Sequence, residues 1–237
     1  MNGRSAIAKW KETTGAAVLF DFGGTLDANG VAWKERLFRL YRDEGVALAP
    51  EQFDPVFYAV DDALVRSVPP TLSFRDTVLG LVGGLAEALG VADHTLAKRI
   101  ANRFVEEALE RLRHNAHLLG ALRCRYRLGV VSNFYGNLAT VCEDAGIRPF
   151  FTTLVDSAHC GYVKPDPRIF YQAVGELEID SSRAVFVGDS LPRDMAGARA
   201  VGMPHILLAG PGPRAESPCC HGDGVIRSLN ELAELLL

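Results

Sequence analysis

The first ordered pattern in the chain is Ala16-Ala17-Val18-Leu19-Phe20, an apolar run that ends on Asp21 and breaks at Gly23-Gly24. An uninterrupted apolar run of this length predicts a strand buried on both faces, as in a parallel sheet. After Asp27 the period changes. Trp33, Leu37, Leu40 and Tyr41 recur at helical spacing, as do Val56, Val60, Ala63 and Leu64. Pro69-Pro70 must interrupt the helices there. Ser73 can cap a third helix running to Leu89, and Asp93 a fourth whose face is Leu96, Ile100, Phe104, Ala108 and Leu112.

The strand pattern then returns at residues 128–133, followed by a helix over 136–145 and a short strand over 151–155 ending at Asp156. Lys164-Pro165-Asp166-Pro167 leads into a helix carrying Ile169, Phe170, Ala173 and Val174. Residues 184–187 form the next strand, running into Gly188-Asp189, and Pro192 opens the helix after it. Residues 205–208 and 225–226 read as strands, and 229–237 as a closing helix. Strands alternating with helices predict right-handed crossovers and an α/β, doubly wound parallel sheet. The core is discontinuous, residues 1–27 and 116–237, with residues 28–115 inserted as an all-helical cap.

Composition narrows the function classes. The 237 residues, 48% hydrophobic and 23% charged, are ordinary for a globular chain with a sizeable core. Net charge is −4 and basic residues are scattered, which argues against a nucleic-acid partner. No apolar run approaches the ~18 residues that a membrane span needs. The first fifteen residues mix Arg4, Lys9, Lys11 and Glu12 and read as a loose arm, not a secretory signal. Five cysteines without framework spacing predict reduced thiols and a cytoplasmic location. Cys219-Cys220-His221 lacks the second pair of a zinc motif. Oligomeric state is left open.

Chemistry-bearing residues fall at the strand ends or in the loops beside them: Asp21, Ser132, Lys164, and Asp189 followed by Asp194. A parallel sheet brings these to one edge, where open α/β sheets bind ligands. Each alone has a plainer reading. Asp21 can start a tight turn, Ser132-Asn133 and Asp189-Ser190 can cap helices, and Lys164 can be a solvated loop lysine.

Together, and in this order, Asp21-Phe22-Gly23-Gly24-Thr25-Leu26-Asp27, Val130-Val131-Ser132-Asn133, Val163-Lys164-Pro165-Asp166-Pro167 and Val187-Gly188-Asp189-Ser190-Leu191-Pro192-Arg193-Asp194 resemble the haloacid dehalogenase superfamily of phosphohydrolases. The branch resembled carries a helical cap between its first two motifs on a Rossmann-like core. The resemblance implies a phosphatase acting on a small phosphorylated metabolite, with Asp21 as nucleophile forming an aspartyl phosphate. It implies that Lys164, Ser132, Gly24 and the Asn133 backbone N–H hold the phosphoryl oxygens. Mg²⁺ suits the oxygen ligands Asp21 and Asp189, with the Gly23 carbonyl as a further ligand and Asp194 in support. Such cations should depress the pKa values of Asp21 and Asp189.

One position departs from the family. Its phosphatases carry a second aspartate two residues after the nucleophile, which protonates the leaving alkoxide and then activates water. Here that residue is Gly23. General acid–base catalysis contributes typically ~10²–10⁴-fold, so slow turnover is expected unless another group supplies the proton. Asp27 and His159 are the candidates by family layout. A phosphonate-cleaving relative would need a lysine in the middle of the cap, where only Lys34 and Lys98 occur near its ends, and no match to dehalogenase relatives is evident. The alternative is a catalytically impaired member that binds a phosphorylated ligand or a protein partner. A receiver domain, the other class with Asp, Ser/Thr and Lys at sheet ends, is about half this length and has no such insertion. Charges nearly balance across the cap, so no strongly charged leaving group is implied, and Arg66, Arg75 and Arg193 are candidates to reach a ligand, with solvated surface arginine the plainer reading.

Overall fold

The structure is a computed structural model. It describes residues 7, 10, 16–65, 67–91, 93–210 and 224–237. Its sheet has six strands: β1 (Ala17–Phe20), β2 (Arg127–Ser132), β3 (Thr153–Asp156), β4 (Ala184–Gly188), β5 (His205–Leu208) and β6 (Gly224–Ile226). All neighbours pair parallel, in the order β3-β2-β1-β4-β5-β6. The chain builds outward from β1 to β3 and then returns to the other side of β1. This reversal puts the ligand crevice of such a sheet at the carboxyl end of β1, beside β2 and β4.

The inserted segment holds α1 (Trp33–Asp43), α2 (Pro50–Leu64), α3 (Phe74–Ala88) and the first part of α4 (His94–Arg123). The core adds α5 (Leu138–Asp144), the single turn α6 (Ser157–Cys160), α7 (Pro167–Glu176), α8 (Ala196–Ala200) and α9 (Glu231–Leu236). Alternate residues of the strands serve the two faces of the sheet. Val18, Phe20, Val130, Val187 and Leu208 pack toward α4, α5, α9 and the cap in one continuous apolar cluster. Leu19, Val131 and Phe186 pack toward α7 and α8. Burial on both faces explains why these strands lack alternation. Among the described residues no helix is long and apolar enough to cross a membrane.

Caps form where local chemistry allows them. Ser73 Oγ accepts from the Asp76 N–H at 3.0 Å and Asp93 Oδ1 from Thr95 and Leu96. Elsewhere the expectations need correction. The buried residues of α2 are Phe53 and Phe57, while Val56, Val60 and Leu64 are partly buried and Ala63 is exposed. The helix turns its aromatics inward because Phe53 reaches Phe38 and Tyr41, with ring centroids 5.4 and 5.9 Å away. Helix α5 starts at Leu138, not at 136, because Gly136 turns with φ +98° and both residues' N–H groups are given to Asp156. In the N-terminal arm, Ile7 and Trp10 are buried, and Trp10 stacks on Tyr126 at 5.1 Å. Helix α4 runs unbroken through residue 116, so the boundary placed there falls inside a helix.

Buried polar ties join the cap to the core. Asn115 on α4 donates to the Leu26 carbonyl at 2.8 Å, and Asn137 donates to the Leu72 carbonyl and Thr77 Oγ1. The Phe74 N–H at the start of α3 donates to Asp144 Oδ2 on α5 at 2.8 Å. At the centre of the cap lies Phe104, fully buried, with Trp33 5.1 Å away edge to face and the Arg36 guanidinium 3.9 Å above its ring. Phe104→Ala is expected to cost about 3–5 kcal/mol, the usual range for emptying an aromatic core site. Urea unfolding followed by circular dichroism measures this, and a cost below about 1 kcal/mol would show that α1 and α4 do not depend on this contact.

Candidate active site

Strand β1 delivers Asp21 to the crevice, and its N–H is bonded to the Val187 carbonyl at 2.9 Å, which extends the β1–β4 pairing by one step. The Asp21 carboxylate accepts from Ser132 Oγ at 2.8 Å and from Lys164 Nζ at 2.6 Å, both on Oδ1. Among the described residues Oδ2 accepts no hydrogen bond. Lys164 also donates to Asp194 Oδ1 at 2.7 Å. Asp189, one residue past β4, accepts from Thr25 Oγ1 at 2.8 Å. Asp194 accepts the Ser190 N–H at 3.0 Å, which ties the turn Leu191–Met195 back toward the end of β4. The Asn133 side chain is spent on Lys164. It clamps the Lys164 backbone, accepting its N–H at 2.7 Å and donating to its carbonyl at 3.2 Å.

The expected partners Asp21, Ser132, Lys164, Asp189 and Asp194 therefore meet. Oxygen atoms of Asp21, Asp189 and Asp194 lie within 4.8 Å of one another, against the one ammonium of Lys164. Burial pulls the Lys164 pKa down, and the charges of Asp194 and Asp21 more than reverse this, so it stays a firm cation. The Asp189 carboxyl is pushed up to about 8, first by burial and then by the charges of Asp21 and Asp194. The expected depression belongs to the carboxylate with a divalent cation beside it; without one, burial and like charge prevail. Burial likewise raises Asp194, partly offset by Lys164. An all-oxygen donor set with surplus negative charge fits a hard divalent cation such as Mg²⁺.

Two glycines are demanded by this packing. A Cβ on Gly24, whose φ is +91°, would lie 2.6 Å from Asp189 Oδ2, and one on Gly188 would lie 2.4 Å from Asp194 Oδ2. Gly24 was expected among the phosphate-binding residues, but its N–H is given to Asp27 Oδ1 at 2.7 Å. Gly23 differs. It lines the cavity, and the Cβ it lacks would stand 3.2 Å from Trp33 Nε1 and 3.4 Å from Cδ1. The indole occupies the space beside it. Trp33 Nε1 donates to Asp27 Oδ2 at 2.6 Å, and Arg36 completes a buried ion pair with the same oxygen at 2.9 Å. Asp27 is thus fully engaged and does not line the cavity. His159 is exposed and does not line it either. Neither of the two expected proton donors is in place.

The cavity over Asp21 has a volume of about 490 Å³ and is walled by both the cap and the core. The cap contributes Trp33, Lys34, Phe57, Tyr58 and Asp61, while the core loop after β2 contributes Phe134 and Tyr135. Arg193 also lines it, whereas Arg75 is exposed and pairs with Asn102. Arg66 and Cys219-Cys220-His221 lie outside the described residues. Three features carried no sequence signal. Asp156 gives its carboxylate to the N–H groups of Gly136, Leu138 and Ala158 and so fixes the loop after β2. The Asp27–Arg36 pair joins the first motif to the cap. Asp61 accepts a hydrogen bond from the Tyr135 hydroxyl across the cavity.

Comparison with known proteins agrees with this geometry. Residues 16–202 match the family described as haloacid dehalogenase-like hydrolases. A bovine haloacid dehalogenase-like hydrolase domain-containing protein 3 is 42% identical over 98 residues, a stretch that is 41% of this chain and only 39% of that protein. The phosphoglycolate phosphatase of Caulobacter vibrioides is 29% identical over 84% of this chain and 81% of its own. Among solved structures, the Bacillus subtilis HAD-hydrolase YfnB bound to magnesium superposes with a TM-score of 0.57 at 22% identity, covering 94% of this chain and 99% of its own.

The Lys164 ammonium is the only cation bonded to this carboxylate cluster among the described residues. Lys164→Met is expected to lower stability by about 3–5 kcal/mol, the range for breaking a buried ion pair from one side. Urea unfolding in the presence of a chelator measures it, and an unchanged midpoint would mean that Lys164 does not hold the cluster together.

Proposed function

The chain belongs to the haloacid dehalogenase-like hydrolases, and on that premise we propose that it is a Mg²⁺-dependent phosphatase of a small phosphorylated metabolite, working through an aspartyl phosphate on Asp21. The observation that carries this reading is the division of labour on Asp21. Ser132 and Lys164 hold one carboxylate oxygen, while the residue as a whole borders the cavity. The carboxylate is oriented, and a phosphoryl group seated against Lys164 and Ser132 meets it from the cavity side.

Phosphoryl transfer depends on positioning and on neutralising charge. Asp21 attacks phosphorus as the nucleophile. Lys164 and the Ser132 hydroxyl shift from Asp21 toward the phosphoryl oxygens, joined by the Asn133 backbone N–H. Asn133 keeps Lys164 in place through its side chain. Asp21, Asp189 and the Gly23 carbonyl would hold Mg²⁺, with Asp194 supporting, and the ion would offset the repulsion between a carboxylate and a phosphate dianion. The cavity volume suits a small metabolite. The Caulobacter relative is named as a phosphatase, and the YfnB structure is described as magnesium-bound, which supports the reading.

Gly23 favours a second reading, in which the site binds a phosphorylated ligand with little turnover. One assay separates the two. With Mg²⁺ the purified protein is expected to hydrolyse para-nitrophenyl phosphate, and Asp21→Asn to bring the rate to background. Full activity in Asp21→Asn would overturn the nucleophile assignment. No turnover of a broad phosphate ester panel, with inorganic phosphate still bound by calorimetry, would select the binding protein.

A further inference from the structure

Cleaving a phosphate ester of an ordinary alcohol leaves an alkoxide that needs a proton as the bond breaks. Position 23 has no side chain to give one, and Asp27 and His159 are out of reach of the cavity. The other ionisable groups on its wall away from the carboxylate cluster divide clearly. Lys34 is paired with Asp54 at 2.5 Å and Arg193 is a guanidinium, so both keep their protons. Glu35 is exposed, and its Oε2 accepts the Ala32 N–H at 3.2 Å. Asp61 remains.

Asp61 sits on α2 of the cap, half-buried, with its carboxylate hydrogen-bonded by the Tyr135 hydroxyl from the core. Burial pushes its pKa above the ordinary aspartate value, opposed by that hydrogen bond and by the charge of Arg193. Tyr135 follows Ser132 by three residues, on the loop that Asp156 pins. Its ring centroid is 6.3 Å from that of Trp33, the ring whose Nε1 stands 3.2 Å from the missing Cβ of Gly23. The Tyr135 ring therefore lies one aromatic ring beyond the place where the family's acid would stand, and its hydroxyl holds Asp61 on the same cavity wall.

We propose that Asp61, held by Tyr135, is the catalytic acid and base of this site, brought to the reacting phosphate by the cap. The proposal rests on the phosphatase reading above. In the first step the Asp21 carboxylate oxygen bonds to phosphorus, the ester P–O bond breaks, and the Asp61 proton passes to the departing oxygen. In the second, water bonds to phosphorus, the bond to Asp21 breaks, and the water proton returns to the Asp61 carboxylate. Protons balance over the cycle. Tyr135 acts as a positioning residue that directs the Asp61 carboxylate into the cavity.

The test compares two esters of similar shape, para-nitrophenyl phosphate with a good leaving group and para-methoxyphenyl phosphate with a poor one. Asp61→Asn is expected to lose about 100-fold in kcat/KM on the methoxy ester and less than about tenfold on the nitro ester, since kcat/KM reports the step that breaks the ester bond and only the methoxy leaving group needs the proton there. Tyr135→Phe should show the same selectivity with a smaller loss, and Asp61→Glu should recover part of the methoxy rate. The ratio of rates within one variant does not depend on the fraction folded, so poor folding cannot imitate the result. An equal loss of kcat/KM on both esters, or no loss of it, would overturn the assignment of Asp61 while leaving the phosphatase reading intact. A wild-type protein that hydrolyses neither ester would overturn the phosphatase reading and this one with it.

Discussion

Three carboxylates crowd around one buried ammonium at the end of β1, two of them bonded to it, and much of the surrounding structure serves to keep that arrangement from flying apart. Desolvated like charges repel strongly, so each carboxylate must be tied down. Thr25 holds Asp189, the Ser190 N–H holds Asp194, and Ser132 shares Asp21 with Lys164. The lysine is immobilised through its backbone by Asn133. Gly24 and Gly188 supply the room, since a methyl group at either would collide with a carboxylate. The elevated pKa of Asp189 records the unbalanced charge that remains. The same deficit that strains the protein makes the site receptive to a divalent cation.

The second organising contact lies one turn further on. Asp27, from the end of the first motif, takes the Gly24 N–H on one oxygen and Trp33 and Arg36 on the other. Arg36 continues to the Phe104 carbonyl on α4. The turn that follows Asp21 is thereby welded to two cap helices by a buried network with its hydrogen bonds made, the condition under which buried polar groups are tolerated. This network also sets the indole against Gly23. The bare backbone at Gly23 and the tryptophan packed beside it are two aspects of one packing solution.

Features that depend on neighbours in sequence were legible in the chain itself. The strands β1, β2 and β4 read as apolar runs, Ser73 and Asp93 read as caps, and the ordered motifs placed Asp21, Ser132, Lys164, Asp189 and Asp194 on one edge. Features that depend on distant partners were not. Asp61 and Tyr135 are 74 positions apart, and Asp61 sits next to Asp62 on a helix where an acidic residue reads as solvated surface. Asp27 and His159 stand near the site in the family's layout, but that layout does not fix which way a side chain is drawn. The buried face of α2 was misjudged because aliphatic spacing was counted ahead of the larger aromatics Phe53 and Phe57.

Helix α4 spans 30 residues without a break, beginning in the cap and ending against the sheet just before β2. At 1.5 Å per residue it is a rod of about 45 Å. Its Asn115 side chain grips the carbonyl of Leu26 in the turn that follows Asp21. For anyone transplanting caps between such enzymes, this makes the seam asymmetric. The entry seam lies in the short loop before Trp33, but the exit seam has to be moved past Arg123. A graft cut at the apparent border would sever a helix and leave the catalytic turn without its brace.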